Sequence, residues 1–274
     1  PAGGSWYVER LTAELAGRAW ELVREVERRG GMARALEAGF PQDRVARTAA
    51  ERGGAVATRR TVIVGTNQYA DVGEEIAIDA GGAARPSTAG DGDRAAVRVR
   101  PVAPHRAAEG FEALRLAVGA HRRAHGGGRV FVATLGQVAR YMPRLDFTTG
   151  FFVSGGFEVE RGPGFDTPQA AAAAALADAG EIIVLCGLDA TYDDQAQPVA
   201  RAVRDGDPRR ILLLAGQPAD DTRRAALEAA GIEGFIHARS NVLEVLSGLA
   251  AQLGVRAAAA PAVAATDDPE GGAS

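Results

Sequence analysis

Residues 182–185 read Ile-Ile-Val-Leu and residues 211–214 read Ile-Leu-Leu-Leu. Neither run alternates between apolar and polar residues, so a strand made from either must be covered on both faces. Each is followed by a stretch whose apolar residues recur every three or four positions, the spacing of an amphipathic helix. Strands that need two covers, separated by helices that supply them, predict a parallel sheet with crossover helices. Working outward, Val130-Phe-Val-Ala133 and Phe157-Glu-Val159 lie upstream and Gly234-Phe-Ile236 downstream. Helical stretches fall near 143–154, 168–178, 194–205, 221–230 and 241–252. The span 129–255 is therefore expected to be a doubly wound, flavodoxin-like domain of strand order 2-1-3-4-5. Its ligand site is expected at the C-terminal ends of the strands.

Upstream, residues 1–69 are mainly helical. Leu11, Leu15, Leu22 and Val26 share one face, and Gly30-Gly31 closes that helix. Two shorter helical stretches follow, around 32–38 and 42–52, and Thr61-Val-Ile-Val64 reads as a short strand. Residues 70–128 read as a linker with one helix at about 107–121, on which Phe111, Leu114 and Val118 share a face. Within it, 81–93 is rich in Gly, Ala, Pro, Ser and Asp. The tail 256–274 has the composition of a disordered segment. The chain opens with Pro1, without initiator Met or signal peptide, and reads as a fragment.

Composition excludes several functions. All 31 basic side chains are arginine and none is lysine. No P-loop lysine, Schiff-base lysine or receiver-domain lysine can exist. A net charge of −4 offers no basic surface to nucleic acid. No apolar run has the length of a membrane span. Cys186 is the sole cysteine, so no internal disulfide forms, and a reducing cytoplasm fits. His105, His121 and His125 lie in or near the linker without ligand spacing and read as solvated. His237 follows the fifth strand and is the only histidine near the ligand edge. Asp193-Asp194 read as the cap of the next helix. Gly126-Gly-Gly128 precedes a strand, so it is no dinucleotide fingerprint. No metal site and no catalytic residue emerges.

The opening Pro1-Ala-Gly-Gly-Ser-Trp-Tyr-Val-Glu9, followed by Leu11-Thr12, resembles the last strand and helix of the substrate barrel in the methylmalonyl-CoA mutase family. Arg28-Arg-Gly-Gly-Met-Ala33 and Val62-Ile-Val-Gly-Thr-Asn-Gln-Tyr69 continue the likeness. Gly156-Phe-Glu-Val-Glu-Arg-Gly-Pro-Gly-Phe-Asp-Thr-Pro168 is similar to the second strand and following loop of that family's cobalamin domain. The resemblance implies an α/β chain: the end of a substrate-type TIM barrel over 1–69, the linker, and a cobalamin-binding-type domain over 129–255.

Cobalamin domains of this family carry Asp-x-His-x-x-Gly, then Ser-x-Leu, then Gly-Gly. The His becomes the lower cobalt ligand, the Asp holds its far nitrogen, and the Ser bonds the buried dimethylbenzimidazole. The glycines leave room for the nucleotide tail. Aligned without gaps from Gly156, the first motif falls on Ala139-Arg-Tyr-Met-Pro-Arg144, with Ala139 for Asp, Tyr141 for His and Arg144 for Gly. Cys186-Gly-Leu188 stands for Ser-x-Leu, and Gly216-Gln217 for Gly-Gly. The intervening stretches, 145–185 and 189–215, keep the family's spacing while the chemistry is lost. Ala139, Tyr141, Arg144, Cys186, Leu188, Gly216 and Gln217 thus mark a vestigial site, with Tyr141, Arg144 and Gln217 expected to fill it and Asp146 or Asp189 to pair with Arg144. Thr58-Arg-Arg60 and Thr134-Leu-Gly136 look like the family's small subunits.

The resemblance therefore implies a non-catalytic small subunit that binds no cofactor itself. Its partner would be the catalytic large subunit, which holds adenosylcobalamin. Two rivals are a catalytic mutase fragment that still binds cobalamin, and a flavodoxin-like signalling or ligand-binding module. The missing His opposes the first. The second, as a receiver, needs an acidic residue where Cys186 stands.

Overall fold

A computed structural model of the chain describes residues 2–74, 99–102 and 104–256. The Gly-rich stretch 81–93 and the tail from 257 onward lie outside the described residues. The described residues fall into two compact units, one comprising 2–52 with 99–102, 104 and 105, the other 53–74 with 106–256.

In the first unit, α1 (Trp6–Arg28) begins after Ser5 and has no buried residue. The resemblance placed a strand in this opening; Trp6 to Glu9 are instead the first turn of the helix. Gly30 and Gly31, at φ of 89° and 90°, end it, and the Gly31 N–H returns to the carbonyl of Val26 at 3.1 Å. α2 (Met32–Glu37) and α3 (Phe40–Ala57) follow, the last residues of α3 belonging to the second unit. Phe40 lies under the guanidinium of Arg29, 4.1 Å from its ring centre.

The second unit is built on a five-stranded parallel sheet in the order β2-β1-β3-β4-β5, as the strand reading requires. The strands are β1 (Arg129–Thr134), β2 (Glu158–Arg161), β3 (Ile182–Cys186), β4 (Ile211–Ala215) and β5 (Gly234–Ile236). Every residue of β3 and β4 is buried, which is why these two runs show no alternation in sequence. Val130, Val132, Ile182, Val184, Leu213 and Ala215 face a core completed by α4 (Glu109–His125), α5 (Val138–Val153) and α9 (Val242–Gln252). Phe131, Ala133, Ile183, Leu185, Leu212 and Leu214 face α6 (Pro168–Ala177), α7 (Asp189–Gly206) and α8 (Asp221–Ala229). The helix read within the linker is thus α4, and its stripe of Phe111, Leu114 and Val118 is part of the first core.

Three local expectations fail, each for a physical reason. Thr61 to Val64 form no strand; Val64 makes only an isolated bridge to Gln68. The side chain of Asn67 folds this segment back on itself: its Oδ1 accepts the N–H of Ile63 at 2.8 Å, and its Nδ2 donates to the carbonyls of Val56 and Thr61 at 2.8 and 2.9 Å. α5 starts at Val138, not near Pro143, because the buried stripe Tyr141, Leu145, Thr148, Phe152 carries the helix through the proline. α7 starts at Asp189 for the same reason, so Asp193 and Asp194 lie inside it and cap nothing.

Arginine ties the segments together. Arg122 donates to the Gly156 carbonyl at 2.9 Å, Arg115 to that of Thr66 at 3.0 Å, and Arg59 to that of Gly150. Arg204 reaches the carbonyls of Gly231, Pro208 and Arg210, at 2.8 to 2.9 Å. Arg210 reaches those of Asp178, at 2.9 Å, and Gly180. A planar fork with five donors suits this work as a point-charge ammonium does not.

Candidate functional site

Parallel strands deliver their C-terminal ends to one edge, and here that edge carries the ends of β1, β3 and β4 together with the first turns of α5 and α7. Tyr141 sits one turn into α5 with its ring buried. Its hydroxyl donates to the carbonyl of Pro163, in the loop after β2, at 3.2 Å. A Cβ on Gly164 would stand 2.9 Å from that hydroxyl, so the ring packs directly over glycine backbone. Nearly one turn further on, Arg144 swings across the end of β3. Its Nη1 donates to the carbonyl of Gly187 at 2.6 Å and to Oδ1 of Asp189 at 2.9 Å.

A Cβ on Gly216, at the end of β4, would stand 3.4 Å both from Arg144 Nη1 and from Tyr192 Cε2. Both side chains therefore lie against this backbone. The Arg144 guanidinium is 5.5 Å from the Tyr192 ring centre, a cation–π distance. The Tyr192 hydroxyl accepts the N–H of Gly187 at 2.8 Å and lies 2.6 Å from the Ala215 carbonyl and 3.2 Å from that of Leu185. Tyr192 thus ties the end of β3 to the end of β4.

Burial sets the ionisation of this cluster. Desolvation pushes the Cys186 thiol up to about 12, against smaller opposing effects of the Thr148 hydroxyl and Arg144. The thiol stays protonated at neutral pH and is no nucleophile. Burial likewise raises the Tyr192 phenol. For Arg144, burial acts downward, but the nearby Tyr192 and Asp189 outweigh it and raise its affinity for the proton.

The structure brings Tyr141, Arg144, Cys186, Leu188 and Gly216 to one edge, with Leu188 as the residue before α7. Ala139 is exposed on the outer side of α5. Gln217 does not fill the site: it is exposed, and its Oε1 accepts from Arg239. Of the two proposed partners of Arg144, Asp189 makes the pair. Tyr192 does what Gln217 was expected to do. The available signal was its place in the stripe Tyr192, Ala196, Val199, Val203, which a helix start read at Asp193-Asp194 hid. His237 takes no part in the cluster; its Nδ1 accepts the Arg239 N–H at 3.2 Å, and burial, then Arg239 and Arg224, lower its proton affinity.

These residues do not fit a cobalamin tail and lower ligand. The position of the ligand His holds a phenol already bonded to Pro163, and the position of its supporting Asp holds an exposed methyl group. The position that must be glycine sends a guanidinium across the strand ends. Beside β4, Asp189, Tyr192, Leu214 and Gln217 border a void of about 40 Å³, room for about one water. An open cleft of about 390 Å³ lies between α7 and α8, lined by Tyr192, Asp193, Asp220 and Arg223. Neither touches Tyr141, Arg144 or Cys186. Removing the fill tests its contribution: Tyr141→Ala with Arg144→Ala is expected to cost about 1–4 kcal/mol in urea unfolding. An unchanged midpoint would mean that the two side chains fill nothing.

Comparison with known proteins bears on the chain as a whole. A sequence model of methylmalonyl-CoA mutase matches residues 1–87. The methylmalonyl-CoA mutase small subunit of Streptomyces virginiae is 35% identical over 257 residues, 93% of this chain and 38% of that protein. That of Porphyromonas gingivalis is 35% identical over 259 residues, 93% of this chain and 39% of its own. The chain therefore spans under two fifths of the length of these relatives. The large subunit from P. gingivalis matches at 48% identity, but over only 69 residues, 25% of this chain and 10% of that protein. Among solved structures, a CheY-like protein from Pseudomonas aeruginosa matches with a TM-score of 0.37 and 20% identity, over 48% of this chain and 98% of its own. Among the described residues no helix is long and apolar enough to cross a membrane. Along nearly all of its own length the chain is similar to the small subunits of methylmalonyl-CoA mutases, and its first 87 residues match the sequence model of that family.

Proposed function

We propose that this chain is part of a non-catalytic small subunit of an adenosylcobalamin-dependent methylmalonyl-CoA mutase, and that it supports a catalytic large subunit in a cytoplasmic heterodimer. In this reading residues 1–69 complete a substrate-type barrel, and 129–255 is a cobalamin-type domain kept for its shape. The enzyme interconverts methylmalonyl-CoA and succinyl-CoA by a radical rearrangement, for which the cofactor held by the partner supplies the chemistry. This chain supplies no catalytic residue. The observation that carries the reading is the closed strand edge, where Tyr141, Arg144 and Tyr192 bond to the carbonyls of Pro163, Gly187 and Ala215. A cofactor tail entering there would have to break these bonds and strip the half-buried Arg144 guanidinium of its partners.

The test is direct. The purified chain is mixed with adenosylcobalamin at micromolar concentration and passed over a gel-filtration column, with detection in the visible range. No cofactor should travel with the protein. Co-elution at one equivalent would overturn the reading and restore the catalytic-fragment alternative.

A further inference from the structure

At the other edge of the sheet, where α4 hands over to β1, the chain reads His121-Arg-Arg-Ala-His125-Gly126. In sequence the two histidines show no motif. On a helix they stand four residues apart, one turn above the other on the same face. Their ring centres are 4.8 Å apart and their planes meet at 53°. A metal ion held about 2.1 Å from one nitrogen of each ring, with a bite near a right angle, places the ring centres roughly 4.5–5 Å apart. The observed spacing already meets that requirement.

A carboxylate is held beside the pair. Glu181, the residue before β3, fixes its Oε2 by accepting the N–H groups of Gly128 at 2.9 Å and Arg129 at 3.3 Å. Its Oε1 points to Gly127. A Cβ there would stand 2.5 Å from Oε1 and 3.2 Å from Nε2 of His121, so the missing side chain leaves open the space between carboxylate and imidazole. The setting favours a cation in a second way. His125 lies in the last turn of α4 and His121 one turn before it, toward the negative end of the helix dipole. The neighbouring guanidiniums are turned away: Arg122 is bonded to the Gly156 carbonyl and paired with Glu158, and Arg123 lies back along the helix toward Gly119.

We propose that His121 and His125 chelate one divalent transition-metal ion of the Zn²⁺, Ni²⁺ or Cu²⁺ class, with Glu181 bonded to its coordinated water. Two imidazoles select these ions over Mg²⁺ and Ca²⁺, which take oxygen ligands. Among the described residues no three or more His, Cys, Asp or Glu side chains are grouped to hold a metal directly. The site accordingly has two protein ligands and completes its shell with solvent. Its occupation would lock the last turn of α4 against the loop that opens β1.

The test uses the 274-residue chain without any polyhistidine tag, stripped with a chelator and titrated with NiCl₂ or ZnCl₂ at about pH 8, where imidazole ligands are unprotonated. Calorimetry is expected to show one site with a dissociation constant of about 1–50 μM. His125→Ala, at an exposed position that leaves the core intact, is expected to weaken binding about tenfold or more. His105→Ala and His237→Ala should bind as the parent does. Saturating Zn²⁺ should raise the thermal midpoint of the parent and leave that of His125→Ala unmoved. Equal binding by the parent and His125→Ala, or none below about 1 mM, would overturn the proposal.

Discussion

Tyr192→Ala is expected to destabilise the sheet-bearing unit by about 3–5 kcal/mol, the largest single effect at the strand ends. Two losses combine. The ring leaves a void where Leu214, Gly216 and the Arg144 guanidinium now meet it. Loss of the hydroxyl takes a hydrogen-bond partner from the Gly187 N–H and from the Ala215 carbonyl. Tyr192→Phe separates the two, since it keeps the ring and forfeits only the hydroxyl, at a cost of about 1–3 kcal/mol. Urea unfolding followed by circular dichroism is the suitable measurement. Tryptophan fluorescence is not, because both tryptophans, Trp6 and Trp20, lie exposed in α1 of the other unit. A loss below about 1 kcal/mol for Tyr192→Ala would show that the strand ends are not held by this side chain.

Asn67→Ala is expected to cost about 2–4 kcal/mol, although Asn67 lies in a segment without a strand or helix. The side chain is fully buried and serves three backbone groups at once, the N–H of Ile63 and the carbonyls of Val56 and Thr61. No alanine can replace any of them. The loop it closes also presents the carbonyls of Gly65 and Thr66 to the buried guanidinium of Arg115, so its opening would remove two of that group's partners as well. Hydrogen exchange should therefore show new exposure both at 61–68 and along the buried face of α4. Exchange confined to the loop would mean that Arg115 finds other partners.

How far the sequence could be read followed from burial. β3 and β4 were legible because a strand covered on both faces must be apolar throughout, and few other structures require that. The sheet order followed from the chain of strand–helix units. Helix starts were less legible. Pro143 and Asp193-Asp194 carry the marks of a helix beginning, yet in α5 and α7 the burial of an apolar stripe outweighs the local signal. Thr61 to Val64 have strand composition, but one polar side chain six residues on, Asn67, decides their path. The edge cluster was legible as positions and not as contacts. Tyr141 and Arg144 were placed by the gap-free alignment to the resembled family's motif; Gln217 lies exposed, and Tyr192, hidden in a misjudged helix start, took the space. The pair His121 and His125 escaped for the opposite reason, since four-residue spacing means proximity only once the segment is known to be helical.

The guanidinium ties between segments carry a practical consequence. Every cationic side chain in the chain is arginine, and several of them are committed to carbonyls that hold loop to helix. A guanidinium keeps its proton far into alkali, so these ties outlast conditions that would neutralise an ammonium. The same substitution removes every ε-amine. Acetyl transfer, ubiquitin conjugation and amine-coupling reagents find no lysine side chain here. The single thiol, Cys186, is sealed in the core until the protein unfolds, so the neighbours of the folded chain have to be mapped through other groups, such as its carboxylates or the exposed phenols of Tyr7 and Tyr69.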